Sequence, residues 1–125
     1  MTKVRTHKDL DVWNKSVALV TKVYEITNSF PKDEMFGITS QIRRSAVSIP
    51  SNIAEGSARK GNKEFVQFLY ISLGSMAELE TQLIIATNLK YIPSSKYDAI
   101  VNDLTDIRKM LCVQIDKSTL VHPLP

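Results

Sequence analysis

Cysteine occurs once, at Cys112, so no disulfide can form within the chain. That excludes the cross-linked framework of small secreted domains and makes the cytoplasm the default compartment. Histidine occurs twice, at His7 and His122, each in a terminal segment where no scaffold would hold it. No Glu-x-x-His repeat is present for a di-metal bundle site, no paired cysteines form a metal motif, and no glycine-rich loop cradles a phosphate. Glu78 and Glu80 stand two apart on a helix pattern and diverge, so they do not form a general acid/base pair. These absences read as a non-enzyme with no metal and no cofactor. No apolar run approaches the roughly twenty residues of a membrane span. The polar start, Met1 to Lys8, has no apolar stretch behind it and argues against a secretory signal. Strand-like alternation of useful length is missing throughout.

What the 125 residues do carry is helical periodicity, enough for one domain with one core. The first helix is expected from Asp9 or Asp11 to about Asn28, capped by an aspartate. Trp13, Val17, Val20, Tyr24 and Thr27 fall on one side, and Lys15 and Lys22 share the other. Phe30-Pro31 closes the connection, because the residue before a proline resists helical geometry. The second helix is expected to start near Asp33 as cap and to run to Gly56 or Ser57. Ile38, Ile42, Ala46, Ile49 and Ile53 give it one apolar face that keeps phase across Pro50. A proline inside a helix removes a donor and crowds the carbonyl four residues earlier, so one bent helix is expected. The broken ladder frees a carbonyl that Asn52 can satisfy, unless it bonds across an interface. Gly56 reads as the left-handed cap that ends this helix.

Gly61 and Asn62 follow in a turn, with Asn62 able to cap a third helix from about Lys63 to Leu89. Phe65, Leu69, Ser72, Met76, Leu79, Leu83 and Ala86 make a heptad-like seam, and Val66, Leu73, Ala77 and Ile84 a second strip. Two strips on one helix in so small a protein suggest homo-oligomerisation. Gly74 in mid-helix costs about 1 kcal/mol relative to alanine, and close helix–helix approach is the expected compensation. Pro93-Ser94-Ser95 opens the fourth helix, with Ser95 and Asp98 resembling a capping box; Ile100, Leu104, Ile107 and Leu111 form its apolar face. Trp13 reads as core or interface, and Cys112 as a small hydrophobe near the last buried turn. Short connections predict an all-α, antiparallel up-down-up-down four-helix bundle over residues 9–116, between flexible segments 1–8 and 117–125.

Net charge is +3 and the isoelectric point about 9.0, a modest excess whose distribution matters more than its sum. Arg44, Ser48, Ser51, Glu55 and Arg59 share a polar helix face. Arg44 and Arg59, with Lys60 and Lys63 in the following turn, are candidates for phosphate contact, and Lys15 and Lys22 can extend the stripe. The alternative has Arg43 or Arg44 paired with Glu55, Glu78 or Glu80, within or between subunits, and the lysines as a solvated surface.

Leu10-Asp11-Val12-Trp13, Phe30-Pro31, Gln41 to Ala46, Ser48 to Gly56, and Gly74-Ser75 with Glu78-Leu79-Glu80 occur in that order. Together these blocks resemble the bacterial four-helix-bundle proteins encoded within 23S rRNA intervening sequences. That family includes the accessory variability determinant proteins of diversity-generating retroelements. The resemblance spans about Leu10 to Leu111. It implies a barrel-like homopentamer with a basic surface and a nucleic-acid-binding role, RNA or DNA. In the retroelement branch it implies an RNA template and a reverse transcriptase as partners. The competing expectation is a scaffold or accessory subunit that binds a protein and no nucleic acid.

Overall fold

In a computed structural model, residues 6–119 are described. Four long helices form: α1 (Asp11–Thr27), α2 (Ile38–Ser57), α3 (Asn62–Asn88) and α4 (Ser94–Thr119), with 3-10 turns at His7–Asp9 and Lys32–Glu34. The described residues contain no strand. Each helix packs on two neighbours in the cyclic order α1, α2, α3, α4 and back to α1, which makes a four-helix bundle. Ser45, Ser48 and Ile49 of α2 bond to Gln82, Ser75 and Ser72 of α3, so partners descend on one helix as they ascend on the other. Lys15 and Lys22 of α1 meet Asp106 and Asp103 of α4 in the same opposed sense.

The core is aliphatic. Leu19 and Val23 come from α1, Ile42, Ile49 and Ile53 from α2, Leu69, Met76, Leu79 and Leu83 from α3, and Leu104, Ile107 and Leu111 from α4. The 3.6-residue repeat puts these side chains on one stripe of each helix, and their burial is the main favourable term holding the bundle. The α3 seam is buried from Leu69 to Ala86, with Phe65 half-buried at its start. Its second strip divides: Val66 and Leu73 pack on the core, whereas Ala77 and Ile84 are exposed. Pro50 is buried inside one continuous α2.

Several local expectations are corrected. The buried face of α1 is Val12, Ser16, Leu19, Val23 and Thr27, the line that the helix's rotation turns toward α2 and α4; Val17 and Tyr24 are exposed. No aspartate caps α1. Leu10 holds the cap position, and Asn14 Nδ2 donates back to the Leu10 carbonyl at 3.1 Å. Asp33 belongs to a 3-10 turn, and α2 starts from Gly37. Gly61, not Asn62, is the cap of α3. Ser95 lies inside α4, without a side-chain hydrogen bond, because the Pro93 carbonyl already takes the Lys96 and Tyr97 amides. Cys112 is exposed. Helix α4 runs through Thr119 with Ser118 buried, three residues into the expected tail. His7 is held after all, its ring edge-on to Trp13 at 4.8 Å. His122 lies outside the described residues.

Neither of the two informative glycines has its expected role. Gly56 does not adopt a left-handed conformation; it is buried within α2. A Cβ there would lie 2.6 Å from Phe68 Cβ and 3.3 Å from the Phe65 carbonyl, so α2 and α3 meet at this point. Gly74 is exposed, and a Cβ on it would meet nothing within 4 Å. The left-handed residue is Lys90, at φ 69°. It ends α3 with the Tyr91 amide bonded to the Ala86 carbonyl and the Lys90 amide to that of Thr87, a Schellman closure.

Candidate nucleic-acid interface

The α2–α3 turn gathers three candidate cations. Arg59, Lys60 and Lys63 are exposed within five residues, across a turn that α2 reaches after Gly56 lets it press against Phe68. Helix α3 begins here at Gly61, φ −119° and ψ 156°, with no side chain bonded to its first amides. Those free amides carry the positive end of the helix dipole, which favours an anion. Arg59 is partly committed: its Nη2 donates to Glu55 Oε2 at 2.7 Å, and its guanidinium lies 5.0 Å from the Phe68 ring centre. Lys60 and Lys63 form no ion pair among the described residues. With Glu55 and Glu64 also present, the turn is net positive by one charge: three cations less two acids.

Other candidates are elsewhere. Lys15 and Lys22 are bound to their own chain, at 3.1 Å to Asp106 and 2.7 Å to Asp103. A lysine beside a carboxylate offers little net charge to a phosphate. Arg43 pairs with no acid; its Nε donates to Thr27 Oγ1 at 2.9 Å, Nη2 donates to Asn28 Oδ1 at 3.2 Å, and it stacks 4.5 Å from the Tyr24 ring centre. It fastens α2 to the end of α1. Glu80 accepts from Arg108 of α4 at 3.4 Å.

Arg44 stands on α2 fifteen residues before Arg59, which lies in the turn past the helix end at Ser57; at 1.5 Å per residue the two are roughly 20 Å apart, so Arg44 does not join the turn. It lines a polar groove of about 500 Å³ between α2 and α3 with Gln41, Ser45, Ser48, Glu78 and Gln82. Ser45 Oγ sits 3.0 Å from the Gln41 carbonyl, 3.1 Å from Glu78 Oε1 and 2.9 Å from Gln82 Oε1. A hydroxyl has one proton, so only one of those oxygens receives it at a time. Below, Ser48 and Ser75 hydroxyls share a bond at 2.8 Å, and Asn52 Nδ2 donates to the Ser48 carbonyl at 2.8 Å and its Oγ at 2.9 Å. Asn52 therefore serves Ser48 rather than the Ala46 carbonyl that Pro50 leaves without its usual donor.

The sequence reading missed Phe36, which is 96% exposed beside the exposed Met35. Its signal was there: it belongs to no apolar face and precedes Gly37. Also missed were Ser45 and Gln82, which only the crossing of α2 and α3 joins. At the opposite side of that connection the Tyr91 hydroxyl donates to Glu34 Oε2 at 2.9 Å. Bonding to that carboxylate, then desolvation, raises the Tyr91 pKa above the ordinary 10.0. No group of three or more His, Cys, Asp or Glu among the described residues could hold a metal ion. No helix there is long and apolar enough to cross a membrane.

Comparison with known proteins matches residues 8–113 to the model of the 23S rRNA-intervening sequence protein family. Among solved structures, the chain is similar to a protein of unknown function from the S23 ribosomal protein family of Bacteroides thetaiotaomicron. Identity is 29%, the match covers 82% of this chain and 95% of that one, and the TM-score is 0.75. No curated protein matches. The family match takes in all of α1, α2 and α3 and most of α4, and the solved relative shares the helical fold, so the chain belongs to the 23S rRNA-intervening sequence protein family.

Proposed function

We propose that this protein is a non-enzymatic homo-oligomer, pentameric on the family resemblance, that binds the nucleic-acid backbone through its α2–α3 turns. The observation that carries this reading is the uncapped start of α3 flanked by Arg59, Lys60 and Lys63. One such turn is a weak anion site. Several copies held together multiply it, since each neutralised phosphate releases counterions and effective concentration favours the second contact. Lys15 and Lys22 are left out of the contact set because their acids already hold them. The compartment that fits is the cytoplasm.

Filter binding over rising salt tests this with single-stranded RNA and duplex DNA probes. The variant Arg59→Ala/Lys60→Ala/Lys63→Ala is expected to bind more weakly and with a shallower salt slope, each lost phosphate contact removing about 0.7 from the slope on a single strand. Flat, identical profiles for wild type and variant discard the reading.

A second reading, a scaffold for another protein such as a reverse transcriptase, is favoured by one observation. Phe36 stands almost wholly in water, and an aromatic so presented is the usual anchor of a protein contact. It predicts co-purification of a specific protein that Phe36→Ala abolishes, with no affinity for RNA or DNA.

A further inference from the structure

The polar groove between α2 and α3 has opposite charges on its two walls. Arg44, on α2, is exposed, and its guanidinium makes no hydrogen bond or ion pair with any described residue. Glu78, on α3, is exposed and has one described partner, the Ser45 hydroxyl. Both line the same groove of about 500 Å³, yet they do not pair with each other across it. That volume falls within the range of ligand pockets, about 300–1,000 Å³.

The Glu78 wall is short of donors. Ser45, buried at 4% exposure, has a single hydroxyl proton for the Gln41 carbonyl, Glu78 Oε1 and Gln82 Oε1. Whichever oxygen takes it, Glu78 or Gln82 is left without that proton. The Arg44 wall is the reverse, since a guanidinium has five N–H donors and no acceptor. The two charges cancel, so a phosphate drawn by Arg44 is repelled by Glu78. The ligand that complements the groove is neutral, with two adjacent acceptors on one edge and adjacent donors on another.

Among the four bases guanine has that layout. Its O6 and N7 are paired acceptors on one edge, the fork that arginine takes bidentately, and N1–H with the N2 amine are paired donors on the next. Adenine presents a donor where guanine has O6, and neither pyrimidine has a second edge of adjacent acceptors. In a duplex the N1–H is held by the partner base, so only an unpaired guanine offers both edges.

We propose that this groove binds a guanine base of a single-stranded nucleic acid, with Arg44 donating to O6 and N7 and Glu78 accepting from N1–H and the N2 amine. Arg44 thereby reads a base, roughly 20 Å along α2 from the turn whose cations hold the backbone.

The proposal rests on the backbone binding put forward above, and the test separates the two. Fluorescence anisotropy compares an oligouridine with oligouridines carrying one central guanine, one adenine, or one inosine, which lacks the N2 amine. Wild type is expected to bind the guanine strand about tenfold more tightly than the uridine or adenine strand, and inosine to lose most of that gain. Glu78→Gln keeps an acceptor for Ser45 but loses the charge and one acceptor, and is expected to bind guanine and inosine strands alike. Arg44→Gln is expected to bind all four strands alike. Both positions are exposed, so helicity and melting stay at wild-type values. Arg59→Ala/Lys60→Ala/Lys63→Ala is expected to weaken every strand and keep the guanine preference. A wild type that binds the four strands equally, or a guanine-over-inosine preference that survives Glu78→Gln, overturns the base site and leaves backbone binding standing. A wild type that binds no strand overturns both.

Discussion

The α1–α4 side and the α2–α3 side of this bundle are built from the same helical pattern but finish their chemistry differently. On the first, lysines and aspartates of adjacent helices meet as Lys15–Asp106 and Lys22–Asp103, and the two groups left without an ion pair in the groove there, Glu25 and Lys96, are of opposite sign. On the second, Gly56 brings α2 and α3 together, yet Arg44, Glu78, Lys60 and Lys63 have no ion-pair partner, and isoleucines face water. A surface that neutralises itself is finished by folding. One that does not is where binding is to be sought.

Substitutions on the two sides sharpen or break this contrast. The largest effect is expected at Gly56→Ala. The added methyl would stand 2.6 Å from Phe68 Cβ, an atom fixed to the α3 backbone, so the helices must separate. Overpacking of this kind costs about 1–3 kcal/mol, read as a lower midpoint in urea unfolding. Gly74→Ala comes next, with opposite sign. Nothing in the chain opposes the methyl, and helix propensity alone raises stability by up to about 1 kcal/mol. A variant that melts higher but assembles less well would put a second copy against that position.

Lys22→Ala is smaller. Its pair with Asp103 spans two helices but stays half open to solvent, so the loss is about 0.2–1 kcal/mol and shrinks with added salt. Nucleic-acid affinity should be unchanged; a marked fall would return Lys22 to the contact set and end the contrast between the two sides. The smallest effect is at Tyr91→Phe, a loss that is present below pH 10 and fades in alkali. The folded pKa of Tyr91 lies above its ordinary 10.0, so the neutral phenol is favoured by folding. That contribution is whole below pH 10 and is lost as pH rises through the folded value. The wild-type melting temperature should therefore drop more steeply above pH 10 than that of Tyr91→Phe.

Much of the bundle was legible because a single repeat carried it. The α3 seam could be read residue by residue, since burial selects every third or fourth side chain whatever the neighbour is. The expected side of α1 was right in part: Thr27 is buried and Trp13 and Val20 pack on the core, whereas Val17 and Tyr24 face water and Val12, Ser16, Leu19 and Val23 are buried in their place. The caps were misplaced too. Aspartate, asparagine and serine at a helix start can bond its amides, and whether they do depends on where the preceding turn leaves the chain. Of the candidate site, the cations of the turn were visible as a cluster in sequence. The acids that hold Lys15 and Lys22 were not, being 91 and 81 residues distant.

Sequence alone determined the four helices, the single α2 that passes through Pro50, and membership of a family, because these depend on local periodicity and on blocks of residues in order. Only the tertiary structure decided which charges are spent. Pairing across helices depends on the rotation of each helix about its axis, and packing fixes that rotation only when all four are in place. The same rotation made Gly56 a point of contact and left Gly74 open, though both are glycines within helices.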